Sequence, residues 1–495
     1  MNRPVNPVKL SLANLDRLPG HVAGPRYARS SLSPGILHIG VGNFHRSHQM
    51  LYLDRLFEQG RDLDWAVVGA GITSFDAAQR RRLAAQDWLT TVVDLSADGS
   101  SARVVGSMVD FCEVRAEAII ARLADPAIRI VSLTITEGGY FIDATTGGFD
   151  AAHPEIRHDA ENPDDPQTVF GVLIAALEER RDREIAPFTV LSCDNVPHNG
   201  DVTRRTVLGL AGLVSRDLHD WIAATVAFPN AMVDCITPAT SERERELVAE
   251  RFGLDDASPV VCEPFRQWVI EDNFPQGRPA LEHVGVQFVD DVTPYETMKL
   301  RILNASHMAI AYPSALLGYE TVHDAMDDKD IARWMMQLMR REVIPVLTPI
   351  PGLDFDDYLA TCARRFSNPA LGDTVARLCQ DASNRLPKFL LPTVSDALER
   401  GAPIEGLALE IAFWSRFCAT AADSGIELQD LRSEQLTSAA RAARNDPMAF
   451  LGLSEIFGDL GRSKPWTEAF ARQLEEVSSR GTREALHRFF DGVEA

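Results

Sequence analysis

Short apolar runs alternate with amphipathic stretches up to about residue 290, and beyond that point the strand-like runs nearly vanish. Residues 36–41, 65–71, 128–136, 188–193 and 232–236 read as strands, and 169–181 and 202–213 read as two of the helices between them. Such alternation calls for a largely parallel, doubly wound sheet with helices on both faces. The later segments 328–341, 355–366, 374–379, 407–421, 434–444 and 468–490 all carry helical periodicity instead. The expected class is α/β: a Rossmann-type doubly wound sheet domain over residues 1–290, followed by a mostly α-helical domain over 291–495.

A chain of 495 residues has ample material for two cores. Its formal charge of −22 argues against nucleic acid or an anionic membrane as a partner, and leaves a small neutral substrate open. The seven cysteines are scattered and odd in number, which fits reduced thiols in a cytoplasm. No Cys/His cluster has metal-ligand spacing, so no metal is expected. The first 32 residues lack a signal-type apolar core, and no apolar run approaches a membrane span.

Residues Gly35 to Gly42 form an apolar run entering a G-x-G turn, where glycines allow a pyrophosphate to approach the backbone at a helix start. The third glycine of the usual fingerprint is replaced by His45. Arg46, just beyond the turn, has an obvious electrostatic use beside a phosphate. Asp76, after the second strand, is the candidate for the ribose hydroxyls, with a helix-start role as its alternative. Three strands end in polar clusters: Thr136 to Tyr140, Asp194 to Asn199, and Asp234 to Pro238. Ligands of open α/β sheets bind beyond such ends.

The other concentrated signal is Lys299, Asn304 and His307, in a K-x4-N-x2-H arrangement on one segment. Thr293, Pro294 and Glu296 read as a capping box that opens an α-helix there, and Pro313 reads as its end. With ~100° per residue, Asn304 stands about 140° around from Lys299 and His307 about 80°. A base and two neutral hydrogen-bond donors could thus converge on one hydroxyl oxygen. Tyr295 and Lys299 also fit a Y-x3-K pattern, but too late in the chain for a short-chain dehydrogenase. The stripe Trp334, Met335, Met336, Met339 reads as core.

Taken together, Gly40 to His48, Thr136 to Tyr140, Ser192 to Asn195, Val233 to Pro238, the K-x4-N-x2-H segment, Arg365 to Pro369 and Pro387 to Phe389 resemble the long-chain mannitol dehydrogenase family. Order and spacing match along nearly the whole chain. One departure stands out: Cys235 occupies a position where the family usually has arginine. The resemblance implies metal-independent, NAD-dependent oxidation of D-mannitol to D-fructose and the reverse. The alternatives are D-arabinitol or another polyol, or reduction of a hexuronate such as fructuronate or tagaturonate. It further implies Lys299 as general base, Asn304 and His307 as donors to the alkoxide, and Glu137 as a proton route. Asn195, Asp234, Arg377 and Arg385 are implied contacts to the substrate, and Gly40, Gly42, Asn43, Phe44, Arg46 and Asp76 contacts to NAD. A monomer is the implied state.

Overall fold

The computed structural model describes residues 7–143, 146–424 and 428–494. The chain divides into two compact units, Met1–Thr293 and Pro294–Ala495.

Five strands build the main sheet of the first unit: β1 (Pro34–Ile39), β2 (Ala66–Ala70), β3 (Met108–Phe111), β4 (Ile130–Leu133) and β5 (Thr189–Ser192). Their spatial order is β3-β2-β1-β4-β5, and every pairing is parallel. This 3-2-1-4-5 order is that of a dinucleotide-binding sheet, with β1 at its centre. Alternate residues of β1 serve opposite faces. Leu37 and Ile39 join Phe170, Leu173 and Leu177 of the Val169–Asp182 helix in one core. Ile36 joins Met50, Leu53 and Phe57 of the Gln49–Glu58 helix in the other. Burial on both faces is why these strands read as continuous apolar runs.

The expected strand at 232–236 forms as Ala231–Asp234, but outside the main sheet. It pairs antiparallel with Gln267–Glu271, which in turn pairs with Gln287–Val289. An antiparallel hairpin, Thr90–Ser96 with Gly99–Val105, was not expected from the sequence.

The second unit is helical, and the β pairing described in it is a single bridge between Thr321 and Thr374. Its core gathers around Trp334, Trp414, Trp466, Tyr312 and Phe413, all buried. The segment bearing the K-x4-N-x2-H pattern departs from expectation in two ways. It opens as an α-helix over Thr293–Met298, with the Thr293 backbone N–H donating to Asp291 at 2.9 Å. Residues Lys299–Asn304 then form a π-helix, and the chain returns to α-helix only over Ala305–Leu317. Finally, Pro313 lies inside that helix, which ends instead at left-handed Gly318 (φ 85°). A proline at 313 cannot donate to the carbonyl of Ala309. The Trp334 indole N–H takes that carbonyl at 2.9 Å, which is why the helix continues through the proline.

Candidate active site

In the first unit the candidate site begins where β1 ends. Gly40 has φ 94°, and a Cβ there would lie 2.1 Å from the Thr134 carbonyl oxygen. Only glycine fits that conformation and that approach. The Gly42 N–H bonds back to the Gly40 carbonyl at 2.7 Å, closing a tight turn. A Cβ on Gly42 would meet nothing nearer than 3.9 Å, so the missing side chain leaves open space at the turn. A pyrophosphate needs that kind of backbone access, and the turn therefore fits a dinucleotide.

The helix Asn43–Ser47 follows at once. Asn43 Nδ2 donates to the Pro238 carbonyl and Thr240 Oγ1, both at 3.0 Å. Arg46 does not reach outward. It is 1% exposed, and its guanidinium donates to the Gly42 carbonyl at 3.2 Å, Asn43 Oδ1 at 2.8 Å and the Ser258 carbonyl. Here the cation holds the turn from behind. At the place of the third fingerprint glycine, the His45 ring lies flat on the His38 ring, with centroids 3.4 Å apart and planes 4° apart. Ser132 and Thr134 hydroxyls bind the two His38 nitrogens at 2.8 and 3.0 Å. Burial pushes His38 down to about 3 and His45 well below its ordinary value, so both rings are neutral and can stack. Phe44 in turn stacks on His48.

Asp76 is engaged locally. Its Oδ2 accepts the Thr73 N–H at 2.9 Å and the Thr73 hydroxyl at 2.6 Å, a capping box at the start of the Ser74–Ala84 helix. Asp194 fixes the loop beyond β4. Its carboxylate accepts the backbone N–H groups of Ile135 (2.9 Å) and Thr136 (3.0 Å) and the Tyr140 hydroxyl (2.6 Å). These bonds hold Thr136 at φ 65°, a left-handed conformation that costs a β-branched residue energy. Glu137, next in the chain, is presented at the surface, as is Asn195. Asn199 is fully buried and ties the Asp194 carbonyl to both backbone groups of Ala231. Asp234 is buried at 5% exposure. The Asp-Asn-x-Pro-x-Asn run had signalled this cluster, but not that Asp194 and Asn199 are its fasteners.

Cys235 is buried beside Cys262. A guanidinium does stand in this neighbourhood, carried by Arg266 from another part of the chain. It donates to Cys262 Sγ (3.0 Å), the Ser47 carbonyl (2.8 Å) and Asp94.

In the second unit, Lys299 and Asn304 are the first and last residues of the π-helix. A π-helix makes a turn in about 4.4 residues, so residues five apart lie only about 50° from one another around the axis. Lys299 is buried at 8% exposure and His307 at 7%. The His307 ring packs on Phe366, with centroids 4.4 Å apart, and its buried Nε2 has no hydrogen-bond partner among the described residues. Burial first, then the guanidinium of Arg377, push His307 down to about 3, with Arg385 and Arg365 acting the same way and Asp373 opposing. The imidazole is neutral throughout the working range. Arg377 donates Nε and Nη2 to Asp373, each at 2.6 Å. Arg385 donates to the carbonyls of Leu378 and Gln380. The structure thus gathers His307, Arg377 and Arg385, and adds Arg365, named in the sequence only as part of a motif, and Asp373, which sequence reasoning had not singled out. Among the described residues no group of His, Cys, Asp and Glu is arranged to hold a metal ion. No helix among them is long and apolar enough to cross a membrane.

Comparison with known proteins agrees with this division. Residues 34–283 match the mannitol dehydrogenase Rossmann domain and 291–478 the mannitol dehydrogenase C-terminal domain. Mannitol 2-dehydrogenase of Cereibacter sphaeroides is 51% identical over 94% of this chain and 98% of its own. That of Aspergillus clavatus is 41% identical over 98% and 100%. Among solved structures, Pseudomonas fluorescens mannitol 2-dehydrogenase in ternary complex with NAD and D-mannitol superposes with TM-score 0.84 at 45% identity, covering 98% of this chain and all of that one. A D-sorbitol dehydrogenase in substrate-free form gives 0.90 at 35% identity over 96% of this chain and all of its own. The chain belongs to the mannitol dehydrogenase family.

Proposed function

We propose that this protein interconverts D-mannitol and D-fructose with NAD, using Lys299 as general base and Asn304 and His307 as donors to the alkoxide. The observation that carries this reading is the buried, neutral His307 with its Nε2 unpartnered, one helical turn from Asn304 on the segment that begins with Lys299. A buried nitrogen without a partner costs about 1–3 kcal/mol, and a substrate oxygen offered to it removes that cost. The NAD and D-mannitol held by the Pseudomonas relative, 45% identical over nearly the whole chain, name the cofactor and substrate.

Gly40, Gly42, Asn43 and Phe44 would hold the dinucleotide at the β1 turn, with Arg46 and the His38–His45 stack keeping that turn in shape. When bound, NAD supplies the acceptor for the hydride that leaves the carbinol carbon. Lys299 Nζ takes the hydroxyl proton, which it can do only as the uncharged amine, and burial is the setting in which an amine sheds its charge. Asn304 Nδ2–H and, in the appropriate tautomer, His307 Nε2–H then donate to the oxygen as charge builds there. Such a donor is worth about 3 kcal/mol in the transition state. Glu137, on the loop that Asp194 fastens, passes the proton to solvent. Asn195, Asp234, Arg377 and Arg385 bind the remaining hydroxyls, Arg377 with its direction set by Asp373. A site made of neutral donors and internally paired guanidiniums suits a polyol better than a hexuronate.

The test is NADH oxidation with fructose, xylulose, fructuronate and tagaturonate offered in parallel, using the wild type and Lys299→Ala. Fructose should be the preferred acceptor, and Lys299→Ala should lose turnover while still binding NADH. Preference for a uronate, or turnover retained without Lys299, would overturn the reading.

A further inference from the structure

A second π-helix lies in the helical unit, over Met339–Val343, and it packs against the one that carries Lys299 and Asn304. Its origin is local: Pro345 has no N–H to give the Arg341 carbonyl, so the helix cannot close regularly at that point. This π-turn bears Glu342, 2% exposed. The carboxylate accepts the Gly406 N–H at 2.7 Å and the Leu407 N–H at 2.8 Å, two of the otherwise unpaired donors at the start of the Glu405–Ser424 helix. That helix packs along the Ala305–Leu317 helix, which carries His307. Position 406 is built for the contact: a Cβ there would fall 3.0 Å from Glu342 Oε1 and 2.8 Å from Leu338 Cδ1.

We propose that Glu342 is a positioning residue for the Lys299–His307 segment, acting as a latch that holds the neighbouring π-turn to the Glu405–Ser424 helix and loosens when its carboxylate takes up a proton. The inference rests on Lys299 as the base. The ionised carboxylate can accept both N–H groups, whereas the acid turns one oxygen into a donor and leaves one N–H without its charged partner. The helix start favours the anion. Burial opposes it and raises the group to about 7, with Gly406 and Leu407 pulling down, Glu405 pushing up and Arg341 pulling down. Arg472, Glu475, Glu476 and Arg488 face the same cavity of about 440 Å³ from the two C-terminal helices. Arg301, on the first π-turn, is engaged by Asp396. The latch therefore opens as pH falls through about 7.

Glu342→Gln mimics the open form at every pH. The ratio of its kcat to that of the wild type should be near one well below pH 7 and fall about tenfold well above it, the worth of one charged helix cap. NADH affinity, read by fluorescence titration, should not change. Gly406→Ala pushes the carboxylate away and should give the same convergence at low pH. Glu342→Asp, still ionisable, should keep a pH-dependent rate. A merely structural carboxylate predicts a decrement that is the same at all pH. A flat ratio in Glu342→Gln, or in Gly406→Ala if the first variant does not fold, overturns the latch. Turnover surviving in Lys299→Ala overturns the base instead, and is read independently of that ratio.

Discussion

Replacing Trp334 by Phe removes the indole N–H that serves the Ala309 carbonyl, and the cost depends on a residue that Trp334 need not touch. Ala309 lost its regular helical partner because position 313 is proline, and the 2.9 Å bond from Trp334 is what satisfies it. An unpaired buried carbonyl costs about 1–3 kcal/mol. The smaller ring leaves further space beside Phe413 and Phe489, adding about 1 kcal/mol. Trp334→Phe should therefore destabilise by about 2–4 kcal/mol. Pro313→Ala supplies an N–H at the right place, and a carbonyl with two lone pairs can accept it beside the indole. In that background Trp334→Phe should cost only the packing part, a coupling of about 1–3 kcal/mol in the double-mutant cycle. Urea denaturation followed by far-UV circular dichroism gives the four stabilities, and hydrogen exchange of peptides covering residues 305–317 shows whether the effect is local. Turnover should drop in Trp334→Phe and recover with Pro313→Ala, because the affected helix carries His307. Additivity within about 0.5 kcal/mol would refute the account.

Three further outcomes are expected. His307→Ala should lower kcat about 100-fold to 1000-fold with little change in NADH affinity, and any inflection of the rate near pH 7 should survive the substitution, since His307 titrates only at about 3; an inflection there that the substitution abolishes would refute the neutral-imidazole role. Glu410 is fully buried with neither carboxyl oxygen partnered among the described residues, and burial holds it well above 4.5. Its folded-state value is raised, so its contribution to stability is intact below 4.5 and is lost as pH rises; Glu410→Gln should melt progressively higher than wild type with rising pH, and a pH-independent difference would contradict this. Asp194→Asn can accept only one of the two loop N–H groups well, so residues 135–140 should exchange faster and turnover should fall through Glu137; unchanged exchange there would show that Asp194 does not fasten the loop.

How much of this was legible in the sequence follows from where each element is buried. Strands β1, β2, β4 and β5 are covered on both faces and stand out as apolar runs. The hairpin was missed because Ser100, Ser101 and Arg103 interrupt any such run in its second strand, which is only half buried. Strand β3 was missed because only its end residues Met108 and Phe111 are buried, and Asp110 breaks the apolar run. For the site, the sequence revealed which residues matter but not which way they face. Arg46 follows a glycine turn as a phosphate ligand would, yet Ser258, distant in sequence, draws it inward. His45 breaks the glycine fingerprint, and only the pairing of β1 with β4 brings Ser132 and Thr134 to hold the His38 ring on which it stacks. These outcomes depend on long-range contacts that no local pattern encodes.

The K-x4-N-x2-H spacing shows what such contacts add. Five residues along an α-helix turn the side chain about 140° away from its starting face, so in that register the flexible lysine stem would have to close the gap to Asn304. Five residues along a π-helix, at about 4.4 per turn, leave them only about 50° apart. From Asn304 the chain is α-helical again, and three residues more bring His307 to within about 10° of the Lys299 line. A spacing of five followed by three is thus a little over one π-turn plus most of an α-turn, a stripe along which a base and two donors can meet one oxygen. The π register is uncommon and gains nothing from intrinsic propensity, so tertiary packing has to maintain it. Packing between the two π-turns offers that support, which makes the helical core, and not the nine-residue motif alone, the source of the geometry on which the proposed proton transfer relies.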